Sequence, residues 1–262
     1  MQPAHGIVRS ADGTGIAFDR SGSGPALVMV DPALGYSGFD NIRGLGALLA
    51  KEFTVYTYDR RGRGRSGDTQ PYAVAREVED LDAVIAHAGG SAFVYGFSSG
   101  GLLALHAAAS GLAIGKLALL EPPVRGEGEP PDTAFCEEIA ALVTSGRRGQ
   151  AVERFMTSIG VSAEVLEQMA PVRPALEAVA HTLVYDCELS NATSFELLRS
   201  VPTRTLVLDS QASSEDLIGG TAAIATALPD GTRRSLPGGW HGVPEDDLAP
   251  VLSEFFGGEH GE

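Results

Sequence analysis

Lysine, cysteine and tryptophan are scarce: the 262 residues hold two lysines, two cysteines and one tryptophan. Two cysteines, Cys136 and Cys187, make no disulfide framework, so an apolar core must hold the fold and a reducing, cytoplasmic setting is expected. Long apolar runs are also missing. The longest, Leu102 to Ile114, is broken by Ser110 and Gly111 and is too short to span a bilayer. Met1 to Gly6 shows no charged-then-apolar signal pattern. Positive charge is short too: 19 Lys and Arg stand against 34 Asp and Glu, a net charge of −15. That balance argues against nucleic acid or an anionic membrane surface as partner and leaves a small-molecule substrate as the expected one. Nothing in the sequence bears on oligomeric state. What is present is 44% hydrophobic content, enough for one substantial core.

The apolar residues fall into alternating short runs and longer periodic stretches. Ile7–Arg9 and Ile16–Phe18 read as a hairpin around Asp12-Gly13. Ala26–Val30, Phe53–Tyr58, Ala92–Val94 and Lys116–Leu120 read as buried strands, with helices over about 42–51, 72–87 and 102–109 between them. This alternation predicts an α/β fold, a mostly parallel central sheet flanked by helices. The pattern stops at Glu121-Pro122-Pro123. Residues 124–201 carry helical segments, best defined at 135–145, 150–159 and 175–189, and no convincing strand. Strand and helix signals resume at Thr205–Asp209, 217–228, 233–235 and 246–256. The expected organisation is a core of residues 1–123 and 202–262 with a helical cap, 124–201, inserted after the strand that ends at Glu121.

The informative motif is Gly96-Phe97-Ser98-Ser99-Gly100, placed between a strand and a helix. In that setting G-x-S-x-G forms a turn so tight that the positions two before and two after the serine must lack side chains. The serine hydroxyl is pushed out at the carboxyl edge of the sheet, and the helix amino terminus behind it offers free N–H groups, that of Ser99 first. A phosphate loop is the competing reading, but G-x-G-x-x-G is absent and no Lys-Ser or Lys-Thr follows. A serine needs an adjacent base. Of six histidines, His241 in Gly238-Gly239-Trp240-His241-Gly242 follows the last strand and belongs on the same edge; His181, in the insertion, is the runner-up and fits a pocket or packing role.

These features together resemble the α/β-hydrolase fold over nearly the whole chain, and more closely its small capped serine esterase or lactonase members. The resemblance rests on Gly96–Gly100, on Asp59-Arg60-Arg61-Gly62-Arg63-Gly64-Arg65-Ser66 after the fourth strand, and on His241. It implies a Ser–His–acid triad with no cofactor and no metal. The arginine-rich turn is structural in that family, so its arginines are expected to brace the loop while solvated. Most members carry the acid after the penultimate strand, where this chain reads Asp209-Ser210-Gln211-Ala212-Ser213-Ser214. Asp209 comes too early, and Glu215 and Asp216 look like helix-start acids. Glu121, at the end of the strand after the elbow helix, is the favoured acid, with Asp209 next.

The second oxyanion donor is expected from the loop after Ala26–Val30. That loop reads Asp31-Pro32-Ala33, and since proline has no N–H, Ala33 is the matched donor with Leu34 behind it. Asp31 opposes a developing oxyanion unless it is turned away or protonated. Tyr36, Phe97, Met156, His181, Tyr185 and Trp240 are the expected substrate-binding residues. The reading is hydrolysis of an ester or lactone of a small, largely apolar substrate by Ser98, His241 and Glu121. Two alternatives stay open at this level: a cofactor-free lyase, oxygenase or cyclase using the His–acid pair, and a slow-turnover ligand-binding protein.

Overall fold

Strand alternation divides the apolar residues between two cores, one on each face of a single sheet. The computed structural model describes residues 4–258. Among the described residues the strands are β1 (Ala4–Arg9), β2 (Gly15–Gly22), β3 (Ala26–Val30), β4 (Thr54–Tyr58), β5 (Ala92–Phe97), β6 (Ile114–Leu120), β7 (Thr205–Ser210) and β8 (Gly231–Leu236). They form one sheet in the order β1-β2-β4-β3-β5-β6-β7-β8. β2 runs antiparallel to both β1 and β4, and every pairing from β4 through β3 to β8 is parallel.

The helices are α1 (Arg43–Leu49), α2 (Val74–His87) and α3 (Ser99–Ala109), then α4 (Thr133–Thr144), α5 (Arg148–Ser158), α6 (Ala163–Gln168), α7 (Arg173–Ala178), α8 (Leu183–Ala192) and α9 (Phe195–Arg199), and finally α10 (Glu215–Ala227) and α11 (Glu245–Gly257). On β3, Val28 and Val30 point into a core made with α2, α3 and α10. Leu27 and Met29 point the other way, into a core made with α1 and α11. Val207 and its neighbours Leu206 and Leu208 divide the same way on β7. Both faces of the parallel sheet are covered, which is why its strands read as continuous apolar runs.

The stretch between β6 and β7 is helical, with a third apolar cluster of its own that takes in Ile139, Val152, Leu176 and Leu183. Leu34, from the loop after β3, is buried in that cluster, so the insertion packs directly over the carboxyl edge of the sheet. The single helix expected over 175–189 is instead α7 and α8 joined by a 3-10 turn at Ala180–Thr182. There the buried Thr182 hydroxyl donates to the Val179 carbonyl at 2.8 Å, a local bond that competes with a continuous helix. Two short helices, α6 and α9, were not expected. Each begins at a serine N-cap, Ser162 and Ser194, whose oxygen accepts from the N–H three residues on.

His106, on α3, faces the insertion. The Thr193 hydroxyl donates to Leu189 O at 2.8 Å, which leaves its oxygen to accept from His106 Nε2 at 3.0 Å. Burial lowers the His106 pKa from 6.5 to about 4, so the fold holds a neutral imidazole. The unfolded chain takes up this proton below its ordinary value and the folded chain does not until about 4. The contribution to stability is therefore complete above the ordinary histidine pKa and is lost as pH falls from there towards the folded value. Thermal unfolding followed across that range is expected to show a shallower acid decline for His106→Gln than for the native chain; identical slopes would contradict a half-buried imidazole that the fold keeps neutral.

Candidate active site

Ser98 stands between β5 and α3 with φ 52° and ψ −122°. The turn leaves no room for side chains at the flanking glycines. A Cβ on Gly100 would lie 2.3 Å from the Val30 carbonyl oxygen, and one on Gly96 would lie 2.6 Å from the Gly100 oxygen. The Ser98 N–H donates to Leu120 O at 2.9 Å, which ties the elbow to the end of β6. Among the described residues the non-glycine positions with positive φ are Leu34 (62°), Ser98 (52°), Glu121 (44°) and His241 (50°). All four lie on loops at one edge of the sheet. Backbone strain costing about 1–3 kcal/mol per residue is thus concentrated where chemistry is expected.

Glu121 leaves β6 with its N–H bonded to Leu208 O at 2.9 Å. Its carboxylate is fully buried. Oε1 accepts from Ser210 N at 2.7 Å and Ser213 Oγ at 2.5 Å, while Oε2 lies 2.8 Å from His241 Nδ1. Burial by itself would raise the Glu121 pKa, but the His241 ring, the Ser213 hydroxyl and the Ser210 N–H hold it below the ordinary range. An ionised carboxylate only accepts, so Nδ1 carries a hydrogen towards Glu121 and Nε2 is the ring nitrogen left for another partner. The His241 N–H donates to Ser213 Oγ at 3.0 Å, so one hydroxyl steadies both acid and histidine. The Phe97 ring packs 5.1 Å from the imidazole and that of Trp240 5.5 Å from it.

Asp209 points to the other side of the sheet. It accepts from Arg233 Nε and Ser235 Oγ, both at 2.6 Å. Strand alternation explains this: Leu208 and Ser210 share one face and Asp209 the other.

The loop after β3 ties its carboxylate to an arginine. Asp31 is buried and accepts from Arg43 Nη1 at 3.1 Å, while Arg43 Nη2 donates to Asp59 at 3.2 Å. Burial pushes the Asp31 pKa up to about 6, against the pull of Arg43 and Arg63. The next carbonyl, Pro32 O, accepts from Arg63 Nη1 at 2.6 Å. The Val30 and Asp31 carbonyls just before it lie against Gly100 in the first turn of α3, where the Ser99 N–H has no partner within its own helix. Among the described residues no group of three or more His, Cys, Asp and Glu is arranged to hold a metal ion.

The other expected site residues fall into two sets. Tyr36 donates to Ala175 O on α7 at 3.1 Å, and Tyr36, Ala33 and Met156 belong to the apolar cluster between the β3 loop and the insertion. Trp240 is 45% exposed and faces Gly160, where an added Cβ would sit 3.7 Å from its Nε1. His181 and Tyr185 are drawn elsewhere. His181 Nε2 lies 3.5 Å from Asp68, and the Tyr185 hydroxyl donates to Asp68 and accepts from Gln70, its ring stacked 3.9 Å from Tyr72. Their partners are the loop after β4, and their assignment to substrate binding is not supported by that placement.

The arginines of that loop brace it, as expected, but three of them are not solvated. Arg60, Arg61 and Arg63 are at most 1% exposed; only Arg65 reaches water. Arg60 pairs with Glu77 and Asp186, Arg61 with Asp80 and Asp12, and Arg63 with Asp186. A guanidinium enters the interior when carboxylates meet it in bidentate geometry, as Glu77 and Asp80 do here. Sequence reasoning missed these acids, although Glu77 sits three residues after Val74 on the apolar face of α2.

The alpha/beta hydrolase family model matches residues 10–254. The chain belongs to that family. An alpha/beta hydrolase from Sphaerobacter thermophilus DSM 20745 is 46% identical over 96% of this chain and 100% of that one, with a TM-score of 0.88. The enol-lactonase from Burkholderia xenovorans LB400 has 18% identity and a TM-score of 0.78 over 96% of this chain and 100% of that one. An esterase from Rhodococcus sp. ECU1013 has 19% identity and a TM-score of 0.70 over 98% and 99%. These last two share the fold. No curated protein sequence matches the chain.

Asp209→Ala is expected to cost about 2–3 kcal/mol in urea unfolding, less than a fully buried pair because Arg233 stays partly in water. The Glu121–His241 distance should stay unchanged in a crystal structure of the variant. A displaced imidazole would show that Asp209 helps to build the site.

Proposed function

We propose that the chain is a serine hydrolase that cleaves an ester or lactone of a small, largely apolar substrate through an acyl-enzyme. The observation that carries this reading is the strained elbow serine after β5, with Glu121 at the end of the adjacent β6 and bonded to His241 at 2.8 Å. In the proposed reaction the Ser98 hydroxyl attacks the carbonyl carbon as His241 Nε2 takes its proton. Glu121 holds the tautomer that makes this possible and stabilises the imidazolium that forms. The N–H groups of Ser99 and Ala33 receive the oxyanion, in a setting where the Asp31 charge is engaged by Arg43. His241 then protonates the leaving alkoxide, and the same ring activates the water that releases the acid. The apolar cluster that joins Ala33 and Tyr36 to Met156 supports a substrate that is largely hydrocarbon. A serine rather than a carboxylate at the elbow disfavours epoxide and haloalkane hydrolysis.

Ser98→Ala is expected to lower hydrolysis of p-nitrophenyl esters by roughly three orders of magnitude or more while leaving the unfolding midpoint nearly unchanged. A fluorophosphonate should label the native chain and not the variant. Undiminished turnover in Ser98→Ala would overturn the nucleophile and favour proton abstraction by the His–acid pair.

Glu121→Gln should cost roughly three to four orders of magnitude in kcat, because the amide can present N–H to the ring and favour the wrong tautomer. Asp209→Asn should lower kcat by less than about tenfold, because its carboxylate is bonded to Arg233 and Ser235 and not to His241. The reverse ranking of these two variants would move the acid role to β7.

A further inference from the structure

We propose that Asp186, on α8 of the helical insertion, is a positioning residue that sets the spacing of the two oxyanion donors. The proposal rests on the serine-hydrolase reading above. An oxyanion site works only when its donors are fixed in advance at the place where charge will develop. Here they come from separate segments: Ser99 opens α3, and Ala33 lies in the turn after β3. Direct packing brings the segments together at Gly100, but the Ser99 side chain and the Pro32 carbonyl are held by something else.

That something is one carboxylate. Asp186 Oδ1 accepts from Ser99 Oγ at 2.8 Å and from Arg60 Nη1 at 2.9 Å. Its Oδ2 accepts from Arg63 Nη2 at 2.8 Å. The same Arg63 donates through Nη1 to Pro32 O at 2.6 Å, the carbonyl immediately before Ala33, and reaches Gly35 O at 3.4 Å. Arg60 Nη1 adds contacts to Ser99 Oγ at 3.1 Å and Asp31 O at 3.4 Å. A continuous chain thus runs from the residue after the nucleophile, through Asp186 and Arg63, to the peptide that bears the second donor. Every side chain in it is buried. Burial opposes the Asp186 charge, yet Arg63, Arg60 and the Ser99 hydroxyl hold its pKa below the ordinary range, so it stays an acceptor at both oxygens. A carboxylate present only to neutralise Arg63 has no use for the Ser99 hydroxyl. Arg60, for its part, already has Glu77 in bidentate contact.

The test compares Ser99→Ala, which keeps the N–H and removes the hydroxyl, with Asp186→Asn and the double variant. Competent sites are counted by fluorophosphonate titration. Turnover of p-nitrophenyl acetate is then expressed per titrated site, alongside inhibition by an aryl trifluoromethyl ketone, whose hemiketal oxyanion occupies the donor site. Ser99→Ala is expected to lower kcat per site about tenfold with KM within about twofold, and to weaken the ketone by the same factor. Asp186→Asn should lower both by about a hundredfold, and adding Ser99→Ala to it should change little more. If Asp186 only stabilises the fold, the titratable fraction falls and kcat per site stays native, which overturns the proposal. Should Asp186→Asn fail to fold, Ser99→Ala decides alone: native kcat per site and native ketone affinity overturn the role. A native chain that neither turns over esters nor reacts with the fluorophosphonate overturns the hydrolase reading itself, and the role with it.

Discussion

The close approach of α3 to the end of β3 is the constraint on which the rest depends. A glycine at position 100 lets the first turn of the helix sit against the Val30 and Asp31 carbonyls, where any side chain would collide. Ser98 has to take positive φ to reverse the chain in so little space. The parallel sheet then carries this geometry outward. β5 hands the Ser98 N–H to Leu120 O on β6, and β6 hands the Glu121 N–H to Leu208 O on β7. Three strand ends are locked in step by successive ladder bonds, so the positions of serine, acid and acid-holding loop are backbone properties before any side chain is considered.

Much of this was legible because it follows from short-range rules. Continuous apolar strands separated by amphipathic helices have few folded solutions, and G-x-S-x-G between strand and helix has one. The position of Glu121 beside His241 could be read from topology, since the end of β6 neighbours the elbow strand while Asp209 is still governed by strand alternation. What escaped were long-range polar contacts. Nothing in Arg60-Arg61-Gly62-Arg63 by itself says that its partners are Glu77 and Asp80 on α2 and Asp186 more than a hundred residues away. His181 and Tyr185 suited a pocket by type, but their partners Asp68 and Gln70 lie in a loop whose path the sequence does not reveal. The 3-10 turn that parts α7 from α8 had no signal in the sequence pattern.

The buried charges also correct a whole-chain view of electrostatics. A net charge of −15 describes the surface seen at a distance. Next to the site the interior holds guanidinium groups, each met by carboxylates from α2, the hairpin turn or the insertion. Such clusters add little net stability over apolar packing of equal volume, but breaking one partner leaves an uncompensated interior charge. They therefore specify one arrangement of the β4 loop, the β3 loop and α8, and penalise others.

The pairing of Glu121 with His241 spans 120 residues of chain. Ser98 and Glu121 lie on adjacent strands and reach their mutual spacing as soon as β5 and β6 zip together. The histidine belongs to the loop after β8, far along the chain from both. The chain between Glu121 and His241 must be folded before the carboxylate has its histidine. In the proposed enzyme, reactivity therefore depends on β7 and β8 completing the sheet and not on the elbow alone.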